Sequence, residues 1–296
     1  MKSVGVWLYG GYPATVDVER EQLARIDALG YASVWMGETI GGRDAFVRSA
    51  VFLGATSRIA VGTGIANVWA RPAPTAQAAA RSVADAHPGR FVLGLGIGHP
   101  YQAESTGQSY AKPLTAMREY LSRMDDEAAA NPPAAPFSRV LAAIGPKMLE
   151  LSRDAADGAH PFAMPVEHTA FARKILGPGK LLIPHQAVLL STDPAQARAK
   201  AREMARQILQ VKAYAKAWRD FGYGDEVTDR LADALVAWGD EETIARRVRE
   251  QLDAGADQVL ISPTGVDLPG AADQLARLAP ALTAQTALTA LPEVSA

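Results

Sequence analysis

Short runs of apolar residues alternate with stretches of helical periodicity along the whole chain. In runs such as Phe91-Val92-Leu93 the apolar residues are consecutive, which is typical of parallel strands covered on both faces. We therefore predict a β-strand at each run, followed by a helix. The eight predicted strands are 4–8, 32–36, 59–63, 91–95, 140–144, 159–163, 186–190 and 258–261.

The stretches between the strands have the features of helices. Residues 240–254 begin with Asp240, a favourable N-cap, and place Ile244 and Val248 on one face. Residues 195–221, rich in Ala, Arg and Lys, predict one long helix. Because the strand–helix unit recurs, the pattern favours a closed (β/α)8 barrel over an open doubly wound sheet. We expect one domain over residues 1–296.

Turn residues divide these units. Gly30, Gly158 and Gly255 each follow a helical stretch and predict left-handed helix C-caps before the next strand. Residues 125–136, where alanines and acids give way to prolines, predict a loop insertion.

Composition excludes several classes of protein. The 296 residues include 30 Lys+Arg and 32 Asp+Glu, so no excess of positive charge favours nucleic acid or a membrane surface. There is no cysteine, which excludes disulfides and thiolate chemistry, and the five histidines form no compact metal-binding pattern. No apolar stretch has the length of a bilayer span. We expect a cytoplasmic protein without metal.

Candidate chemistry gathers at the ends of the predicted strands. In a (β/α)8 barrel the carboxyl ends of all strands meet at one face, where ligands bind. Glu38 and Thr39 follow the second strand, glycine-rich turns follow the third and fourth, and His99 follows the fourth. Glu38 is either a buried acid beside the cavity or a solvated loop carboxylate. His99 either contacts a bound ring or bonds a loop carbonyl. Three tryptophans are candidate walls of this cavity, with core packing as the alternative for Trp35: Trp7, Trp35 and Trp69.

Other nucleotide and hydrolase motifs are missing. The glycines at 94, 96 and 98 do not have the spacing of a dinucleotide-binding fingerprint, and residues 177–180 do not form a P-loop. No G-x-S-x-G motif of a serine hydrolase is present.

The order and spacing of five segments nonetheless resemble a known family. They are ASVWMGE at 32–38, GTGIANVWAR at 62–71, RFVLGLGIG at 90–98, AAIGPKMLEL at 142–151, and residues 157–169. Together they resemble the luciferase-like monooxygenase superfamily, and specifically its actinobacterial coenzyme F420-dependent oxidoreductase branch. The resemblance covers nearly the whole chain.

The resemblance implies a barrel that holds a deazaflavin, or FMN in sister branches, and transfers hydride at ring carbon C5. It implies a cis peptide bond at Gly64–Ile65 beneath the ring. The residues it implies for catalysis are Glu38, Thr39, where some relatives have a catalytic histidine, and His99, where many have glutamate. A turn that binds phosphate in relatives has Ile144 here in place of serine. The implied cofactor-binding residues are Glu38, Gly64, Ile65, Asn67, Ile97, Gly98, His99, Ile144, Gly145 and Lys147.

The sequence therefore predicts an F420-dependent oxidoreductase acting on a small organic substrate. An FMN-dependent monooxygenase of the same superfamily is the alternative, and a non-catalytic protein that binds a deazaflavin or flavin is a second one. The resemblance also leads us to expect a homodimer.

Overall fold

The strands form one sheet of parallel neighbours. A computed structural model of the protein describes residues 2–8 and 14–284, and the statements below concern those residues. The strands are β1 (Ser3–Leu8), β2 (Ser33–Met36), β3 (Ala60–Thr63), β4 (Ala66–Asn67), β5 (Phe91–Gly96), β6 (Ser138–Leu141), β7 (Gly158–Ala159), β8 (Leu181–Leu182), β9 (His185–Leu190), β10 (Val236–Gly239) and β11 (Gln258–Pro263).

This sheet closes on itself through one kinked strand. Ile183 and Pro184 join β8 to β9 without a turn. On one side the Ile183 N–H donates to Ala159 O (2.9 Å), and on the other the Leu260 N–H donates to Pro184 O (2.9 Å). Since β11 also pairs with β1, the ring of strands has no break. The predicted (β/α)8 barrel is confirmed.

Three strands were not predicted. β10 pairs only with β9 and lies outside the ring, while β4 pairs with β5 just beyond the end of β3. The third is β8, the first half of the kinked strand. The sixth predicted strand, 159–163, is too long, because Pro161 has no N–H and Ala163 has a positive φ of 50°. The fifth, 140–144, is shifted, since β6 begins at Ser138 and ends at Leu141.

Helices cover the outside of the barrel. They are α1 (Val16–Ala28), α2 (Ala45–Gly54), α3 (Ala73–Ala86), α4 (Pro100–Ser105), α5 (Pro113–Ala130), α6 (Pro146–Ala155), α7 (Val166–Leu176), α8 (Pro194–Leu209), α9 (Lys212–Asp220), α10 (Asp229–Leu235), α11 (Glu241–Asp253) and α12 (Leu268–Thr283). The predicted cap of α11 is confirmed, because the Asp240 side chain accepts a hydrogen bond from the Thr243 N–H (2.9 Å). Among the described helices, none has the length and apolar character needed to cross a membrane.

The long helix predicted over 195–221 is wrong. It divides into α8 and α9 at Val211, which has an extended backbone conformation (φ −90°, ψ 109°). The break lets α9 bury Trp218, whose Nε1 donates to Ala163 O at 3.0 Å. Burial of this large aromatic side chain outweighs the helical propensity of the segment.

Two of the three predicted glycine caps are confirmed. Gly30 and Gly255 have φ of 84° and 114°. Gly158 instead lies inside β7, where a Cβ would collide with the Leu181 carbonyl group, so close contact between strands explains this glycine. The insertion predicted over 125–136 is partly helical, because α5 continues to Ala130 before the prolines end it.

The core has two layers. Alternate residues of β1, such as Val6 and Leu8, face outward and join the cluster formed with the helices. The intervening Trp7 belongs to an inner cluster with residues of the other strands, among them Trp35. Trp35 is fully buried, and its Nε1 donates to Ser33 Oγ (2.8 Å), so it packs in the core instead of lining a cavity.

Candidate active site at the carboxyl end of the barrel

The loops after β2, β3, β5 and β6 meet at the carboxyl end of the barrel, where the sequence predicted a site. The Glu38 N–H donates to Ile65 O (3.0 Å), which joins the loop after β2 to the turn after β3. The Asn67 side chain in turn lies against Gly98 after β5. The structure thus brings together the residues expected at these strand ends.

Glu38 is buried and fully engaged. Its Oε2 accepts a hydrogen bond from the Asn67 N–H (2.8 Å), and its Oε1 accepts one from the Ala45 N–H (3.1 Å). Arg71 donates to both oxygens. The carboxylate therefore holds three segments of backbone and side chain together, and these contacts favour a structural role over proton transfer.

Arg71 is a residue that the sequence reasoning missed. It also pairs with Asp44 (2.7 Å) and lies over the Phe46 ring, 4.9 Å from the centroid. Partial burial alone would raise the pKa of Asp44, but the backbone N–H of Val47 and the charge of Arg71 hold this pKa below its usual value. The signal was present, because Arg71 is the only charged residue of segment 62–71.

The expected cis peptide bond at Gly64–Ile65 is present. Trp7 supports it, since its Nε1 donates to Gly64 O at 2.8 Å. A Cβ on Gly64 would lie 2.7 Å from Trp7 Nε1 and 3.3 Å from His160 Nε2. Only glycine therefore fits between the inner aromatic layer and the ligand side of this turn.

Asn67 has an amide group with unused hydrogen-bonding capacity. Its Oδ1 accepts from the Trp69 N–H (3.0 Å), whereas Nδ2 is buried without a partner among residues 2–8 and 14–284. Gly98 next to it has a φ of 57°, and a Cβ there would lie 2.5 Å from Asn67 Nδ2. The glycine is required by both its conformation and the contact.

Two aromatic side chains hold the turn after β5. Trp69 Nε1 donates to Ile97 O (2.6 Å), and the Tyr110 hydroxyl donates to Gly98 O (3.0 Å). Because the C=O and N–H of a trans peptide point in opposite directions, the first bond turns the Gly98 N–H away from Trp69. Sequence reasoning treated Trp69 only as a wall and missed Tyr110.

His99 combines a bonded backbone with a free side chain. Its N–H donates to Gln102 Oε1 (2.8 Å), so this amide is occupied within the turn. The half-buried imidazole stacks on Tyr101, with ring centroids 5.8 Å apart. Burial lowers the pKa of His99 below its ordinary value of 6.5, which leaves the ring neutral at pH 7. Thr39, on the loop after β2, is exposed.

The turn after β6 leads into a helix without a side-chain cap. Gly145 is the N-cap of α6, and a Cβ added to it would meet no atom within 4 Å. Lys147 lies exposed in the first turn of the helix. Behind the turn, His168 Nε2 donates to Ile144 O (2.8 Å). Sequence reasoning did not assign a role to His168.

Two more histidines lie inside the barrel beneath Gly64. His160 Nδ1 donates to Ile183 O (2.7 Å), and His185 stacks on Phe162 with centroids 4.0 Å apart. Burial lowers the pKa of His160 to about 4 and that of His185 to about 3. Both imidazoles are therefore neutral parts of the inner layer. In the described part of the chain, no group of three or more potential ligand side chains is arranged to hold a metal.

A separate cleft of about 390 Å³ lies beside β10 and α11. Its polar groups bond mainly to one another: Asp233 accepts from Arg198 (2.8 Å) and from Trp238 Nε1 (2.8 Å), and Arg247 donates to Asp233 O (3.1 Å). None of the predicted site residues lines it.

Comparison with known proteins agrees with this architecture. A 5,10-methylenetetrahydromethanopterin reductase from Methanolobus tindarius is 27% identical over 284 residues, an alignment that covers 80% of this chain and 87% of that protein. An F420-dependent secondary alcohol dehydrogenase in complex with an F420-acetone adduct superposes with a TM-score of 0.76 at 16% identity, covering 95% and 99% of the two chains. The oxygenating constituent of the 3,6-diketocamphane monooxygenase of Pseudomonas putida, in complex with FMN, gives 0.71 at 12% identity, covering 98% and 100%.

The fold and the position of the candidate site define an α/β barrel with a candidate site in the loops at its carboxyl end. The model of the luciferase-like monooxygenase family matches residues 3–258, and the chain belongs to this family.

Proposed function

We propose that the protein is an F420-dependent oxidoreductase that transfers hydride between the deazaflavin and a small organic substrate. The similarity to the methylenetetrahydromethanopterin reductase over most of both chains carries this proposal. The superposition on the F420-dependent alcohol dehydrogenase supports the fold that it requires.

The residues at the barrel mouth fit a deazaflavin. Asn67 Nδ2 is buried with an unused donor, and the outward side of Gly145 is open. Glu38 and Asp44 both pair with Arg71, which offsets one of their two negative charges beside an anionic cofactor. When bound, the deazaflavin would supply a hydride donor or acceptor at C5.

We assign different tasks to the residues around the ring. The backbone at Gly64, Ile65, Ile97 and Gly98 would support its plane, and Asn67 Nδ2 would donate to a polar edge. Ile144, Gly145 and Lys147 would hold the phosphate through the backbone and a positive charge. Glu38 would contribute to the cofactor site by fixing the Asn67 backbone.

Proton transfer is best assigned to His99. Its imidazole is neutral at pH 7 and half-buried, which suits a group that accepts a proton from a hydroxyl or returns one to a carbonyl. Thr39 is exposed on the loop after β2 and would contact substrate, with a hydroxyl that does not titrate in this range. The hydride step itself depends mainly on close positioning of the two reacting carbons.

An FMN-dependent monooxygenase is the second candidate, because the superposed diketocamphane monooxygenase binds FMN on the same fold. A non-catalytic cofactor-binding protein is a third. We propose further that residues 1–296 form one domain, and that the protein is a cytoplasmic homodimer that acts on small molecules without nucleic acid or membrane partners.

Titration of the purified protein with F420 and with FMN, followed by ligand fluorescence at fixed ionic strength, tests the proposal. We expect tighter binding of F420, and oxidation or reduction of the bound cofactor by members of an alcohol, carbonyl and enone panel. Tighter binding of FMN would favour the monooxygenase. Binding of F420 without turnover faster than in free solution would favour the non-catalytic protein.

A further inference from the structure

The buried imidazole of His168 holds the turn after β6 from behind. The side chain has no exposed surface, and its Nε2 lies 2.8 Å from Ile144 O. Since a carbonyl oxygen only accepts hydrogen bonds, Nε2 carries the proton and Nδ1 is left with a lone pair. Nδ1 is buried without a partner in the described part of the chain.

The hydrogen bond from His168 to Ile144 O also determines the direction of the Gly145 N–H. The carbonyl of Ile144 and the N–H of Gly145 belong to one planar peptide group and point in opposite directions. A hydrogen bond that fixes the carbonyl toward the interior therefore fixes the N–H toward the outside. A Cβ added to Gly145 would meet nothing within 4 Å, so the space beside this residue is open to a ligand.

The same turn has few other ways to bind an anion. Pro146, the first residue of α6, has no N–H, and Ile144 has no hydroxyl. The Gly145 N–H thus adds a backbone donor beside Lys147 at the start of a helix of ten residues, whose dipole favours negative charge there. The direction of the Gly145 N–H determines whether it can donate a hydrogen bond to the ligand.

We infer that His168 is a positioning residue for the phosphate group of the bound deazaflavin. It orients the Gly145 N–H toward a phosphate oxygen. This inference rests on the proposed function. His168 acts only through the Ile144–Gly145 peptide and does not touch the cofactor.

Neighbouring aromatic rings keep the imidazole in place. Phe171 of α7 and Phe221 at the end of α9 pack against it, with ring centroids 5.9 Å and 5.5 Å away. Burial lowers the pKa of His168 to about 4, so the proton on Nε2 and the direction of its bond stay the same around neutral pH. The α9 segment thereby contributes to the site although it lies outside the barrel.

The test compares F420 with its riboside, which has the same deazaflavin ring but no phosphate. His168→Gln places an amide N–H where Nε2 is, whereas His168→Asn is one carbon shorter and His168→Leu has no donor. By fluorescence titration we expect H168N and H168L to weaken F420 binding by about tenfold or more, which is the effect of losing the hydrogen bond from the Gly145 N–H to the charged phosphate. The same variants should change the affinity for the riboside by less than about twofold. H168Q should retain most of the F420 affinity. H87Q, at the other end of the barrel, is the matched control.

Equal losses of affinity for F420 and for the riboside would overturn the inference, because they would show a general structural role of His168. Unchanged F420 affinity in H168N would overturn it too. If the wild-type protein binds neither molecule, the proposed function fails and the inference fails with it, whereas the previous two outcomes leave the proposed function intact. Thermal unfolding of each variant identifies any that do not fold, and the comparison between H168Q and H168N remains if H168L is among them.

Discussion

Arg71 donates to both carboxylate oxygens of Glu38, and the pair is inside the protein, with 10% of the arginine side chain and 3% of the glutamate side chain exposed. The same carboxylate accepts from the backbone of Asn67 and Ala45. The loop after β2 and the turn after β3 are therefore fixed to each other by one charged group. Both oxygens of this carboxylate are thus occupied by contacts within the protein.

Arg71→Met should strongly destabilise the protein. It leaves Glu38 buried without its cation, which costs about 3–5 kcal/mol in comparable pairs. Asp44→Asn is the matched control: it removes the more exposed partner of Arg71 but keeps a good N-cap for α2, and should cost less than about 1 kcal/mol. Urea denaturation at pH 7 measures both. Equal losses in the two variants would show that the buried pair does not hold these loops.

The buried histidines predict a steep loss of stability in mild acid. His160, His168 and His185 are neutral in the folded protein, where burial lowers their pKa values to about 4, about 4 and about 3. In the unfolded chain they titrate near 6.5, so the unfolded state binds more protons as the pH falls below that value. The stabilisation that these three neutral groups provide is complete above pH 6.5 and is lost as the pH falls toward 4. In this range the free energy of unfolding changes with a slope that approaches about 4 kcal/mol per pH unit.

Urea denaturation at pH values from 7.5 to about 4.5 measures this slope. His185→Phe removes one of the three groups and keeps a ring against Phe162, so it should reduce the slope by about a third. A slope that stays the same in this variant would mean that His185 is protonated in the folded state, contrary to its burial.

Gly158→Ala should destabilise the barrel through one added carbon. The new Cβ would overlap the backbone carbonyl of Leu181, and neither strand can move without breaking the pairing of β7 with β8. We expect a loss of about 3 kcal/mol or more in the free energy of unfolding. Gly54→Ala, at the end of α2 with no atom near the new Cβ, should instead stabilise by about 0.5–1 kcal/mol. A mild effect at both positions would contradict the close contact at β7.

The barrel was predictable from the sequence because short, mainly apolar runs alternate with helical stretches along the chain. The errors arise where tertiary contacts overrule local pattern. The break at Val211 depends on burial of Trp218, and the glycine at 158 depends on a strand that is distant in sequence. Periodicity contains no information about either contact.

The site was predictable only as a set of strand ends. Positions of Glu38, Gly64 and Gly98 followed from where the strands stop, and the cis bond after Gly64 followed from the family resemblance. The side chains that hold these turns were not predictable, since their partners come from other elements: Arg71 binds Glu38 from the loop before α3, and His168 binds Ile144 from α7.

Tyr110→Phe should weaken binding of the deazaflavin ring more than it destabilises the fold. It removes only the hydroxyl that donates to Gly98 O, and with it one of the bonds that fix the turn expected to support the ring. Tyr31→Phe is the matched control, since its hydroxyl also donates to a backbone carbonyl, Leu275 O at 2.9 Å, but at the opposite end of the barrel. Both variants should lose about 0.5–1.5 kcal/mol of stability.

Only Y110F should lose cofactor affinity. Because the turn that Tyr110 holds is expected to contact the ring, binding of F420 and of its phosphate-free riboside should weaken alike, by about threefold or more. This pattern differs from the phosphate-dependent loss expected for H168N. Fluorescence titration with both molecules measures it. Equal affinity in Y110F and Y31F would show that the turn keeps its shape without the hydroxyl, and that Trp69, through its bond to Ile97 O, is sufficient to hold it.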